Sequence, residues 1–156
     1  MHLTNRAFAF IVFIVFAADQ LSKLWVLQKF SPGETWPLIP EIFHLTYVRN
    51  PGAAFGLFAN KTPFFIAISL LVIFLIIFGG SLLETRYFLL RLALALQLGG
   101  ALGNFSDRLR TGYVIDFLDF RFWPVFNLAD MALVLGIVLL LGSFSSPNFS
   151  PLAREK

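Results

Sequence analysis

Residues 62–83 read TPFFIAISLLVIFLIIFGGSLL, with no charged side chain anywhere in the run. As a helix, an apolar stretch of this length crosses a hydrocarbon core of about 30 Å. Thr62 offers an N-cap and Pro63 suits the first helical position, which sets where the span opens. Gly79 and Gly80 lie near its end. The bilayer is therefore the solvent around which the rest of the chain is organised.

Downstream, Glu84–Arg86 makes a very short connection, and a third apolar span runs from Tyr87 to about Gly103. It is interrupted only by Arg91 and Gln97, and it ends in the small residues Gly99, Gly100, Ala101 and Gly103. Small residues let helix backbones approach closely in lipid. A fourth span opens at Asn127 and runs to about Phe144, followed by a polar tail over 145–156. Upstream, Ala7–Leu27 is apolar except where Asp19, Gln20, Ser22 and Lys23 interrupt it. It is long enough to span. With Arg6 before it and Ala17-Ala18 near a plausible cut, it also fits a cleaved signal peptide.

The expected architecture is an all-α membrane protein, a single domain over 1–156. Its four transmembrane helices fall at about 7–27, 63–83, 87–103 and 127–144, and its extramembrane loops at 28–62 and 104–126. Ile42–Arg49 alternates loosely and carries Phe, Thr, Tyr and Val, so a short strand is expected within the first loop. An even number of spans puts both termini on one side and both long loops on the other. Charge bias does not choose the side. Arg6, Arg86, Arg91, Arg154 and Lys156 balance Lys29, Arg49, Lys61, Arg108, Arg110 and Arg121.

Composition agrees and narrows the function. The chain is 58% hydrophobic and 13% charged, far from the about 25% charged residues of soluble domains. Its net charge of +3 forms no basic stripe with interleaved aromatics, so nucleic acid is not an expected partner. With no cysteine, thiol catalysis, disulfides and Cys-based metal sites are excluded. The two histidines, His2 and His44, stand far apart without the spacing of a zinc site or a Ser-His-Asp triad. No metal or cofactor is expected. There is no internal repeat of the kind that builds inverted-repeat transporters.

Ionisable groups in or beside spans are costly, roughly 2.5–3.5 kcal/mol at a helix centre, so they pair or work. Asp19 and Lys23, at i and i+4, share one helix face and fit an internal ion pair. Arg49-Asn50-Pro51-Gly52-Ala53-Ala54-Phe55-Gly56 closes the expected strand. It reads either as an ordinary tight turn or as a place where an extended peptide approaches the backbone. Asn104, Asp107 and Arg108 close the third span, where capping is the simpler role. Asp107 and Arg108, being adjacent, point in different directions if helical.

Val114-Ile115-Asp116-Phe117-Leu118-Asp119-Phe120 sets carboxylates among large apolar residues, where desolvation raises a carboxyl pKa. Asn127 and Asp130 fit the N-cap and N3 positions of the last span, and the helix dipole there favours an ionised Asp130. Asp116 and Asp130 flank a short loop with Trp123 and Pro124, so both can reach one point at the membrane boundary. Two carboxylates sharing one proton are the working parts of an aspartic protease. Ser22 and Lys23 are adjacent and cannot face each other as a Ser-Lys dyad. A small transporter or channel component, with a polar path lined by Asp19, Lys23 and Arg108, is the second reading.

Taken in order, Asp19-Gln-Leu-Ser-Lys23, Asn50-Pro-Gly-Ala-Ala-Phe-Gly56, Gly103-Asn104 with Asp107-Arg108, Val114-Ile-Asp116-Phe and Phe126-Asn127-Leu-Ala-Asp130 resemble the successive motifs of lipoprotein signal peptidase, or signal peptidase II. The resemblance covers nearly the whole chain. Phe105 and Ser106 depart mildly from it. It implies a bacterial inner-membrane aspartic endopeptidase that cuts prolipoproteins just before a diacylglyceryl-modified cysteine. Asp116 and Asp130 would be the catalytic pair, and Asn50, Gly52, Asn104, Arg108 and Asn127 would bind substrate. Asp19, Lys23 and Asp107 would support the site. It further implies partners limited to prolipoproteins and membrane lipids, a monomer, cytoplasmic termini and an active site toward the outer face. It also implies that Ala7–Leu27 is retained and that the first long loop forms a small extramembrane β-structure beside the catalytic face.

Overall fold

The computed structural model describes residues 3–52, 61–79 and 88–144. The Glu84–Arg86 connection, positions 53–56 of the glycine-containing turn motif, the end of the second span beyond 79 and the tail over 145–156 lie outside the described residues. Helix α1 covers Asn5–Lys29, capped where Thr4 Oγ1 accepts from the Ala7 amide at 3.2 Å. It buries Asp19, Gln20, Lys23 and Val26 while exposing Phe10, Phe13, Ile14 and Leu21. Polar groups inside and large apolar groups outside reverse the pattern of a soluble helix and suit a lipid-facing surface.

Helix α2 covers Thr62–Phe74 and continues as a π-helical turn over Leu75–Gly79. It starts one residue earlier than the capping signal suggests. Lys61 is the cap, and the Thr62 hydroxyl donates instead to the Gly112 carbonyl at 2.7 Å. Helix α3, Phe88–Thr111, extends well past the expected end at Gly103. Asn104 and Asp107 look like a solvated helix terminus in sequence, yet both are buried against partners on other elements, and those partners keep the backbone helical. Helix α4 covers Leu128–Phe144. Among the described residues, α1, the α2 run over Thr62–Gly79, and α3 are long and apolar enough to cross a membrane, while α4 is a shorter apolar helix of 17 residues.

α3 is the central helix, packed against α1, α2 and α4. A Cβ at Gly100 would lie 2.5 Å from the Ala129 carbonyl oxygen, so glycine there sets how closely α3 and α4 approach.

The β-structure is a three-stranded antiparallel sheet in the order β1 (Thr35–Ile39), β2 (Phe43–Asn50) and β3 (Val114–Asp119). The sheet is not built from the first loop alone, contrary to the expectation from the resemblance: β3 comes from the second loop. Strand β2 needs a partner on each side, and the apolar run Val114–Leu118 supplies the second. Val26, Phe30, Tyr47, Ile115 and Phe117 form a buried cluster that seats the sheet on the end of α1. In register, Val48 lies opposite Asp116 and Asn50 opposite Val114.

Candidate active site

Strand β3 delivers Asp116, the first turn of α4 delivers Asp130, and the segment between them folds back to close the gap. Both carboxylates line one cavity of about 290 Å³, together with Asn50, Gly52, Asn104 and Arg108. Trp123, Phe126, Leu133 and Val134 are among the apolar residues of its wall. Four residue types expected from separate motifs are thus brought to a single opening.

Each carboxylate is held by amides. Asp116 accepts from Asn50 Nδ2 at 2.9 Å on one oxygen and from Asn127 Nδ2 at 2.7 Å on the other. Asp130 accepts from Asn104 Nδ2 at 2.7 Å and from the Asn127 backbone amide at 3.3 Å. Asn127 Oδ1 in turn accepts from the Asp130 amide at 2.9 Å, a reciprocal capping arrangement at the start of α4. Capping and cavity-lining therefore coexist in Asp130. No Lys or Arg among the described residues forms an ion pair with either carboxylate. Burial, and next the neighbouring Asp130 charge, push the Asp116 carboxyl up to about 7.

Asn50 uses both ends of its side chain, since its Oδ1 accepts from the Gly52 amide at 3.0 Å. Arg108 stacks over Phe65, 5.0 Å from the ring centroid, and its Nη2 reaches the Gly52 carbonyl at 3.4 Å. Asn127 sits elsewhere than expected. It is fully buried, behind the carboxylates and off the cavity surface, and its side-chain amide also donates to Asn104 Oδ1 and the Ile115 carbonyl.

A second polar cluster lies beneath the first. Lys23 Nζ is 2.8 Å from both Asp19 Oδ2 and Asp107 Oδ2 and donates to Asn104 Oδ1 at 3.0 Å. Asp19 Oδ1 accepts from the Ala129 amide at 3.0 Å, capping α4 from α1. A Cβ at Gly103 would collide with Asp19 Oδ2, so this glycine opens the space the carboxylate occupies. Asp107 Oδ2 also accepts from the Ile115 amide at 3.3 Å, tying α3 to the strand that carries Asp116.

Sequence reading missed Gln20. Its amide donates to Asp19, Asp107 and the Gly103 carbonyl, and its oxygen accepts from Arg110. The available signal was its i, i+3 spacing from Lys23, which places both on one helix face. Thr46 and Asp119, joined by a hydrogen bond of 2.7 Å, were also passed over.

The fold places the chain among membrane enzymes. It superposes on two solved structures described as bacterial membrane enzymes determined by the in meso method. One, at 2.3 Å resolution, gives a TM-score of 0.86 and 30% identity over 96% of this chain and 98% of that one. The other, at 1.9 Å, gives 0.85 and 28% identity over 94% and 97%. Residues 11–145 match the family model for signal peptidase (SPase) II. A lipoprotein signal peptidase of Moorella thermoacetica is 56% identical over 133 residues, which is 85% of this chain and 89% of that protein. One of Nostoc sp. is 49% identical over 157 residues, covering 96% and 97%. The chain belongs to the signal peptidase II family.

Proposed function

We propose that the chain is an aspartic endopeptidase that cleaves prolipoproteins before a diacylglyceryl-modified cysteine, with Asp116 and Asp130 as its catalytic pair. Signal peptide removal from prolipoproteins follows from the family, and it displaces the transporter reading. The observation that carries the catalytic assignment is that two buried carboxylates share one cavity with no cation paired to either among the described residues. Like charges so placed retain one proton between them, and that proton belongs to the pair. One carboxylate takes a proton from a water as it attacks the scissile carbonyl, while the other donates a hydrogen bond to the carbonyl oxygen.

Arg108, Asn50 and Gly52 present donors and an acceptor to the substrate backbone, and Asn104 and Asn127 hold the carboxylates in place. Asp19, Lys23 and Asp107 fix the helices beneath. In this reading α4 is the fourth span of a single inner-membrane domain, both termini are cytoplasmic and the cavity opens at the outer face. The enzyme acts as a monomer on its lipidated substrate within the membrane lipids.

The test incubates the purified protein with a lipidated precursor peptide and an unlipidated control. Cleavage of the first alone, before the modified cysteine, is expected. Equal cleavage of both, or of neither, overturns the proposal.

A further inference from the structure

The segment joining the two carboxylate-bearing elements is a closed loop. Phe126 donates to the Leu118 carbonyl at 3.1 Å, and its own carbonyl accepts from the Phe117 and Leu118 amides at 3.0 and 2.8 Å. These bonds fasten only the two ends. Between them, Arg121 sits at φ 66°, a left-handed conformation that a side chain with a Cβ adopts rarely and keeps only where its surroundings hold it there.

The Phe122 amide donates to the Phe120 carbonyl across Arg121 at 2.7 Å, and Asp119 supplies the side-chain part of the hold. Its Oδ1 accepts from the Arg121 amide at 2.8 Å, and its Oδ2 meets Arg121 Nη1 at 2.9 Å and Thr46 Oγ1 at 2.7 Å. Thr35 Oγ1 donates onward to Thr46 Oγ1 at 3.2 Å, so the tie crosses the whole sheet from β1 to the loop. Asp119, the last residue of the buried strand β3, is only 4% exposed. Burial raises its carboxyl, but Thr46 and Arg121 outweigh burial and keep it below the ordinary carboxylate range. Beyond the tie, Trp123, Pro124, Val125 and Phe126 form part of the wall of the cavity that holds Asp116 and Asp130.

We infer that Asp119 is a positioning residue for substrate binding: it locks the 120–126 loop so that Trp123–Phe126 forms a fixed wall of the catalytic cavity. Its bonds go to Thr46 and Arg121, so it acts on affinity and leaves the chemical step alone. The inference rests on the cavity being the peptide site, as proposed above.

The test measures KM and kcat on a lipidated precursor peptide for the wild type, Asp119→Ala, Asp119→Asn and Thr46→Val. Asp119→Ala is expected to raise KM about tenfold with kcat within about twofold, because a wall that must be ordered by the substrate costs binding and not catalysis. Thr46→Val, which removes one of the bonds, shifts KM the same way by less. Loop order is read separately by acrylamide quenching of Trp123 in a Trp25→Phe/Trp36→Phe background, which increases with Asp119→Ala. An unchanged KM, or a loss of kcat at constant KM, overturns the inference. Should Asp119→Ala not accumulate as folded protein, Asp119→Asn and Thr46→Val decide by the same criterion. If the wild type leaves the lipidated peptide uncut, the proposed function fails instead. Quenching then judges the tie alone, and equal quenching in wild type and variant overturns it.

Discussion

Two pairs of carboxylates lie on either side of Asn104, and they are treated in opposite ways. Asp19 and Asp107 are sealed from solvent and bridged by Lys23, with Gln20 and backbone amides satisfying their remaining lone pairs. Asp116 and Asp130 open onto a cavity, and among the described residues their side chains receive amide hydrogen bonds alone. Asn104 serves both, accepting from Lys23 and donating to Asp130. A lysine between two acids removes the need to share a proton and makes a strut. Without one, the acids must share, and the shared proton is available for chemistry.

The largest effect that tests this contrast is catalytic. Asp116→Asn or Asp130→Asn should lower kcat by about 10³-fold or more while leaving the protein folded in membranes. Cleavage of a lipidated peptide and a melting curve in detergent measure the two halves. Near-normal turnover by either variant would erase the difference between the pairs.

Next comes the strut. Lys23→Met leaves Asp19 and Asp107 facing each other without a cation, and loss of one partner from such a buried pair costs about 3–5 kcal/mol. Thermal unfolding should show a steep loss of stability, with activity falling only as the folded population falls. A Lys23→Met protein that is stable but inactive would make the lower cluster catalytic.

The third test is a matter of pH. The folded Asp116 carboxyl titrates near 7, against an ordinary 3.8. The folded state thus binds this proton more tightly than the unfolded chain does, and Asp116 costs stability progressively as pH rises from about 4 to 7. Asp116→Asn should therefore be more stable than wild type at pH 8, by something on the order of a few kcal/mol, with the gap closing toward pH 4. For wild type, kcat/KM should decline above about 7 as the pair loses its proton. A stability gap independent of pH would mean that the pair holds no extra proton.

The long apolar helices and the individual acids were legible because both are local signals. An uncharged run such as 62–83 admits one environment, and Asp116 among Ile115, Phe117 and Leu118 stands out as a buried acid. What was not legible depended on partners distant in sequence. The end of α3 reads as polar and terminal until Gln20 and Lys23 of α1 are placed against it. Strand β3 requires the edge of β2, and the reach of Asn127 behind both carboxylates depends on the loop folding back through Phe126. Asp119 reads in sequence as a second acid among apolar residues, because nothing there places Thr46 beside it.

The hydrogen bond from Ala129 to Asp19 spans 110 positions. Chains are made from the N-terminus, so α1 leaves the ribosome long before the turn it caps exists. Until α3 and α4 arrive, Asp19 and Lys23 have little beyond each other, in a segment whose remaining surface seeks lipid. The earlier helix is thus satisfied only when the later ones are in place. A nascent chain stopped before α3 would hold Asp19 and Lys23 without Asp107 or Asn104, and one stopped between α3 and Ala129 would complete the ion pairs yet leave Asp19 Oδ1 without its amide donor.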